Sequence, residues 1–73
     1  MIKIDKISGR QEEIILQAAK LFREKGYIAT SIRDISESLE MTSAALYYHF
    51  KNKEEILLAI MHLALTNLIE RSE

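Results

Sequence analysis

Apolar residues recur at intervals of three and four along most of this chain of 73 residues, which contains no proline and only two glycines. Side chains at that spacing share one face of an α-helix, and without proline little interrupts a helix. Apolar residues make up 48% of the sequence and charged residues 29%, as in globular proteins rather than disordered ones. The sequence therefore predicts one small all-α domain, built as a helical bundle.

Residues that favour helix ends divide the chain into segments. Gly26 suits a left-handed C-terminal cap. Thr30 and Ser31 precede the second helix as N-cap residues, Thr42 caps the third, and Asn52 caps the fourth. The predicted segments are an N-terminal arm at 1–9 and helices at 10–25, about 31–38, 42 to about 50, and from 53 to the end of the chain.

Two short helices lie close together in this pattern, separated by a break of three or four residues and preceded by a longer first helix. This arrangement is typical of a helix-turn-helix, although a small helical bundle of another kind has a similar pattern. We expect residues 10–52 to form the helix-turn-helix domain and residues 53–73 to form the start of a long fourth helix.

The third predicted helix, within "MTSAALYYHF" at 41–50, has an unusual outward face. At about 100° per residue, Leu46 and Phe50 mark the buried side, whereas Ala44 and Tyr48 point away from it. The flanks of the outward face carry Ala45, Tyr47 and His49. A solvated helix face usually carries Glu, Lys or Gln, but this segment contains no acidic residue and several small or aromatic ones.

Such a face fits a DNA groove. Alanine methyl groups can contact thymine methyl groups, and tyrosine hydroxyls or a histidine can donate to phosphate oxygens. Other residues support the same interpretation. Ser43 could reach a base edge or a phosphate, and Arg33 could pair with guanine. Lys51 and Lys53 stand where the fourth helix begins, a place that favours anions. The net charge of −1 is evidence against a strong nonspecific polyanion binder. A helical protein-interaction module that uses the surface of Tyr47 and Tyr48 remains the alternative function.

Catalytic and metal chemistry find little support in the sequence. The chain has no cysteine and no H-E-x-x-H motif, and Ser43 and His49 do not share a helix face. His62 is expected to be an ordinary packed or partly exposed residue. The N-terminus does not read as a signal peptide, and no apolar run approaches the roughly 18 residues of a membrane span. We expect no enzyme activity, no cofactor, no metal and no membrane contact.

Three blocks of the sequence resemble the N-terminal DNA-binding domain of the TetR family of bacterial and archaeal transcriptional regulators. They are "LFREKGY" (21–27), "TSIRDIS" (30–36) and "MTSAALYYHFKNKEEIL" (41–57), and together the resemblance covers about residues 10–60. It implies a cytoplasmic homodimeric repressor whose third helix reads the major groove of double-stranded operator DNA.

The resemblance also implies roles for individual residues. Arg33 matches a position that often approaches a base, and positions 43–45 match ones that meet bases or nearby backbone. Other matching positions mainly hold phosphates: Thr42, Tyr47, Tyr48, His49 and Lys53. The complete candidate DNA-binding set is Thr30, Ser31, Arg33, Thr42, Ser43, Ala44, Ala45, Tyr47, Tyr48, His49, Lys51 and Lys53.

Three residues depart from the family pattern. Glu40 stands in the turn where relatives usually have glycine, so it must adopt a positive φ angle at a cost of about 1 kcal/mol or alter the turn. Ala44 often corresponds to glycine in relatives, and Ser36 stands where alanine is common. These departures leave the predicted fold unchanged, but they weaken what the resemblance implies about which base each residue reads.

The predicted fourth helix is too apolar for the bundle that precedes it. Within "ILLAIMHLALTNLI" (56–69), 11 of 14 residues are apolar, and a helix that is apolar all round is expected to be buried all round. Three short helices cannot cover both of its faces, which predicts an uncovered surface around Leu58, Leu65 and Ile69. We expect the chain to be the head of a longer protein. The resemblance implies a helical C-terminal domain that binds a small-molecule inducer and forms the dimer.

Overall fold

The computed structural model describes the backbone of residues 9–71 and the side chains of residues 9–66. Its helices are α1 (Gly9–Lys25), α2 (Ile32–Ser38), α3 (Ser43–His49) and α4 (Lys53–Arg71). No strand occurs between residues 9 and 71, so the all-α prediction is confirmed. The predicted arm lies outside the described residues except for Gly9, which opens α1.

Packing joins the helices into one bundle in which α1 contacts both α2 and α4, and α2 contacts α3. The core at this junction consists of Ile14, Ile15, Ala18, Ile35, Leu46, Phe50 and Ile56. Each of the four helices contributes to this set. Phe50 is the C-cap residue that ends α3. The burial of Leu46 and Phe50 confirms the buried side of α3 predicted from helical spacing.

The turn between α2 and α3 is a Schellman motif, a helix end closed by two backbone hydrogen bonds. The Met41 N–H donates to the Ser36 carbonyl at 2.9 Å, and the Glu40 N–H donates to the Glu37 carbonyl at 3.0 Å. This geometry needs a left-handed backbone at the first residue after the C-cap, which is Glu40, and Glu40 has a φ of 57°. Of the two possibilities left open by the sequence, the chain therefore adopts the positive φ angle.

A reciprocal capping box begins α2. The Ser31 hydroxyl accepts a hydrogen bond from the Asp34 N–H, and the Asp34 carboxylate accepts one from the Ser31 N–H, both at 3.0 Å. Lys25, at the end of α1, donates to the same carboxylate at 2.9 Å. The backbone hydrogen bond from Ser31, followed by the hydrogen bond from Lys25, lowers the Asp34 pKa from 3.8 to about 2.

The fourth helix is covered on one side only. Ile56 is fully buried, and Ala59, Ile60 and Leu63 are packed against the core. On the opposite side, Leu58 is 63% exposed, and Met61 and Leu65 are also exposed. The uncovered face is thus present at Leu58 and Leu65, while the side chain of Ile69 lies outside the described ones. His62 is exposed. None of the described helices combines the length and the apolar composition needed to cross a membrane.

Replacing Glu40 by glycine should stabilise the domain. Glycine adopts a left-handed conformation without the steric penalty of a Cβ atom, so the free energy of unfolding should rise by up to about 1 kcal/mol. Denaturant unfolding measures this change. Glu40→Ala is the matched control, because it removes the charge but keeps the penalty and should give no such gain. A clear loss of stability in Glu40→Gly would contradict the role of the left-handed turn.

The capping box should make stability depend on acid pH. The folded-state pKa of Asp34 lies below its ordinary value, so its contribution is complete above about pH 3.8 and is lost as pH falls towards about 2. Asp34→Asn should flatten the dependence of unfolding free energy on pH in this window. Lys25→Gln removes the charge of Lys25 but keeps the backbone hydrogen bond from Ser31, which is the largest cause of the shift, so it should leave a reduced dependence. Identical acid unfolding of the wild type and Asp34→Asn would exclude this linkage.

Candidate nucleic-acid interface

An open cleft of about 460 Å³ lies where α2, α3 and the start of α4 meet. Six residues of the predicted DNA-binding set line it, together with Ile28 and Ile32: Thr30, Ser31, Arg33, Ser43, Tyr47 and Lys53. The other six predicted residues lie outside this lining: Thr42, Ala44, Ala45, Tyr48, His49 and Lys51. The fold therefore gathers half of the set, from three separate segments, around one concave surface.

The outward face of α3 continues from this cleft. Ala44 is exposed, Tyr48 is 85% exposed, and Tyr47 is half-exposed between them and the cleft. The ring of His49 meets the ring of Tyr48 edge to face, with centroids 5.2 Å apart. Ala45 is partly buried on the flank of the helix. The directions predicted from helical spacing thus agree with the exposure of these side chains.

Two cap hydroxyls, on Ser31 and Thr42, stand at the entrances of α2 and α3. Each accepts a backbone N–H of its own helix, from Asp34 and from Ala45 respectively, at 3.0 Å. A serine or threonine hydroxyl that accepts a hydrogen bond keeps its own proton for donation. Both caps can therefore hold the helix end and still donate to a phosphate oxygen.

Arg33 and Lys51 are charged residues at the edge of this region. The Arg33 guanidinium Nε donates to the Glu37 carboxylate at 3.0 Å, one helical turn further on. Both side chains are well exposed, and a pair of this kind contributes only about 0.3–0.5 kcal/mol. Arg33 can therefore be drawn from Glu37 to a guanine or a phosphate at little cost. Lys51 is exposed just before α4 begins.

Thr30 does not cap α2, although the sequence predicted that it would. Its side chain is 1% exposed, and its hydroxyl donates to the Gly26 carbonyl at 2.8 Å, which satisfies a backbone acceptor at the end of α1. Ser31 alone caps α2. The prediction of Thr30 as a helix cap is therefore wrong, because the turn after α1 folds its hydroxyl inward. Its contact with DNA stays a prediction, and the buried residue leaves little surface for it.

Lys53 has an intramolecular partner that the sequence did not predict. Its ammonium donates to the Tyr27 carbonyl at 2.6 Å and lies 4.2 Å from the centre of the Tyr27 ring. This contact ties the start of α4 to the loop after α1, and Lys53 remains on the lining of the cleft. A phosphate contact by Lys53 would share the ammonium between Tyr27 and DNA.

Sequence reasoning missed three residues that shape this surface. Tyr27 positions Lys53, Ile28 stands 87% exposed at the rim of the cleft, and Ser36 places a hydroxyl 3.3 Å from that of Ser43. The available signals were the apolar pair directly after the Gly26 cap and a serine where relatives favour alanine. Neither signal specifies a contact, because the partners are distant in the chain or belong to another helix.

Comparison with known proteins identifies relatives of this fold and sequence. The sequence profile described as "Bacterial regulatory proteins, tetR family" matches residues 14–60. The "Biofilm operon icaADBC HTH-type negative transcriptional regulator IcaR" of Staphylococcus epidermidis is 52% identical over 46 residues, which cover 63% of this chain and 25% of that protein.

Solved structures agree with the sequence comparison. A TetR/AcrR-family transcriptional regulator from Thermobifida fusca is 45% identical and superposes with a TM-score of 0.85, over 88% of this chain and 35% of the other. PfmR, a TetR-family transcriptional regulator from Thermus thermophilus, is 54% identical with a TM-score of 0.75, over 78% and 31% of the two chains. The chain spans about a quarter of the length of the curated relatives it matches.

Replacing Thr30 by valine should destabilise the fold without removing a DNA contact. Valine keeps the shape of threonine but cannot donate to the Gly26 carbonyl, so unfolding in urea should show a loss of about 0.5–1.5 kcal/mol. Thr30→Ser keeps the hydroxyl and should retain the hydrogen bond, which makes it the matched control. Affinity for duplex DNA, measured where the variants are folded, should equal that of the wild type. A folded Thr30→Val chain that loses affinity would restore Thr30 to the interface.

Proposed function

Because this chain belongs to the tetR family of bacterial regulatory proteins, we propose that it is the DNA-binding head of a transcriptional repressor and that α3 enters the major groove of operator DNA. The observation that carries this proposal is the outward face of α3. Ala44 and Tyr48 are exposed there, no acidic residue is present, and the face borders the cleft lined by Arg33, Ser43 and Tyr47.

The chemistry of this face separates two kinds of contact. Ser43, Ala44 and Ala45 stand in the first turn of α3, where helix-turn-helix proteins contact base edges. Other side chains can donate to the phosphates around the contacted bases. They are the hydroxyls of Thr42, Tyr47 and Tyr48, the ring of His49 and the ammonium of Lys51. Local placement of donors, rather than the net charge of −1, supplies attraction to the DNA backbone.

We extend the proposal to the assembly in which this head would act. The uncovered apolar side of α4, at Leu58, Met61 and Leu65, fits contact with a helical C-terminal domain, and the matched relatives are about four times as long as the matched segment. In such a protein the C-terminal domain would form a homodimer and bind a small-molecule inducer. Two heads at a fixed spacing would bind two half-sites far more tightly than one.

The same proposal places the protein in the cytoplasm of a bacterial or archaeal cell, where operator DNA is accessible, and assigns it no enzymatic activity. The relatives named above are transcriptional regulators, and IcaR is a negative one. Among the described side chains, those of residues 9–66, no group of three or more histidine, cysteine, aspartate or glutamate residues could hold a metal ion.

Two substitutions test the phosphate contacts. Tyr47→Phe removes one hydroxyl and Lys53→Ala removes one ammonium. Each variant should therefore weaken binding to every duplex by a factor that does not depend on the sequence of the duplex. Lys53→Ala should also lower the slope of log affinity against log salt by about one. Fluorescence anisotropy over a salt series, with one preferred duplex and one unrelated duplex, measures both effects.

Controls separate binding from stability. Lys53→Ala also removes the contact with Tyr27, so its affinity is compared only at temperatures where circular dichroism shows it folded. Lys20→Ala removes an exposed lysine of α1 outside the cleft and should leave affinity and salt slope unchanged. Flat, weak binding of the wild type across the salt series would refute the proposal and favour a protein partner for the surface of Tyr47 and Tyr48.

A further inference from the structure

Two hydroxyls meet between α2 and α3. Ser36 is 1% exposed, and its Oγ lies 3.3 Å from the Oγ of Ser43, seven residues further along the chain. Ser36 has no exposed surface with which to contact a ligand itself. Its hydroxyl can therefore influence recognition only through the residue that it touches.

The direction of this hydrogen bond follows from counting protons. The Ser36 hydroxyl donates to the Arg33 carbonyl at 3.0 Å, and a carbonyl can only accept. A serine hydroxyl has one proton, so Ser36 has none left for Ser43. With the Ser36 proton on the shorter of its two contacts, 3.0 Å against 3.3 Å, the donor between the two hydroxyls is Ser43. At 3.3 Å the bond is long for a hydroxyl pair, so it contributes little to the stability of the fold.

The orientation of that proton determines what Ser43 offers to DNA. Ser43 is half-buried, opens α3 and lines the cleft. With its proton turned back towards Ser36, the remaining lone pairs of its oxygen are available to the cleft. A hydroxyl in this state accepts a hydrogen bond but does not donate one.

We propose that Ser36 is a positioning residue that makes Ser43 an acceptor in the major groove, and that Ser43 consequently selects adenine or cytosine. These two bases present an amino group in the major groove, the adenine 6-amino and the cytosine 4-amino group. Guanine and thymine present only acceptors and the thymine methyl group there, with which Ser43 has no proton to share. The inference rests on the proposed function, since it requires α3 to enter the major groove.

The same reasoning assigns Ser43 to a base rather than to a phosphate. Phosphate oxygens accept hydrogen bonds, and so does Ser43 in this arrangement. Tyr47, which is half-exposed on the same cleft, keeps the ability to donate its hydroxyl proton to a phosphate. The hydroxyls of Ser43 and Tyr47 thus differ in role, because only that of Ser43 has its proton engaged by a buried neighbour.

Selection of bound sites from a random duplex pool tests the base preference. The wild-type chain should prefer adenine or cytosine over guanine and thymine at one position by about three- to tenfold, as expected for one neutral hydrogen bond. Ser36→Ala should free the Ser43 proton, so that guanine and thymine are accepted and the preference falls below twofold. Ser38→Ala is the matched control: it removes a hydroxyl that bonds a carbonyl of α2 in the same way, the Ile35 carbonyl at 2.7 Å. It should keep the wild-type preference.

Base analogues identify the atom that is read. If adenine is selected, the test duplex carries purine without the 6-amino group; if cytosine is selected, it carries 2-pyrimidinone without the 4-amino group. The wild type should lose about three- to tenfold in affinity for the analogue. Ser43→Ala should bind the analogue and the natural base equally well, because its acceptor is already gone. Comparing the two proteins cancels the effect of the analogue on duplex stability.

The outcomes distinguish this inference from the function on which it rests. A folded Ser36→Ala chain with unchanged base preference would overturn the inference, since a purely structural hydroxyl would weaken all duplexes alike. If Ser36→Ala does not fold, the analogue comparison of the wild type and Ser43→Ala decides alone. The inference is also overturned if the chain binds DNA sequence-specifically and Ser43→Ala loses as much affinity for the analogue as the wild type does. A wild type that binds no duplex at low salt instead overturns the proposed function and this inference with it.

Discussion

The reversal of the chain between α2 and α3 depends on a left-handed backbone at Glu40. With a φ of 57° at this residue, the Met41 N–H turns back onto the Ser36 carbonyl and α2 ends cleanly. Ile35 and Leu46, on either side of the turn, are then both fully buried against the rest of the core. A different turn would rotate α3 about its entry point, so the exposure of Tyr48 and the contact between Ser36 and Ser43 follow from this one conformation.

Several side chains of the candidate interface also hold the fold together. Ser31 and Thr42 cap helices, and Lys53 ties α4 to the Tyr27 carbonyl. Such contacts restrict the positions of groups that would face DNA before any DNA is bound. A bundle this small has few residues to spare, because a chain of this length buries only a limited core. The same side chains therefore both stabilise the fold and form the candidate interface.

Much of the helical framework could be predicted from the sequence. Local rules determine where Ser31, Thr42 and Asn52 accept backbone N–H groups, since each acts on a donor three residues away in its own chain. Spacing likewise predicted the burial of Leu46 and Phe50 and the exposure of Tyr48. The cap role of Thr30 was predicted wrongly because a threonine beside a serine cap has two local partners, Gly26 before it and α2 after it, and sequence alone does not rank them.

By itself, then, the sequence determined four helices and the face of α3 that points outward, because each depends on neighbours within about four residues. It also predicted an uncovered side of α4, because three short helices cannot cover a helix that is apolar all round. Only the tertiary structure decided which residues share the cleft, that Lys53 rests on Tyr27, and that the Ser36 hydroxyl meets Ser43. These contacts join residues 7 to 26 positions apart, at distances that must be right to within an ångström. Helical periodicity specifies the direction of a side chain, whereas the packing of one helix on another specifies what that side chain touches.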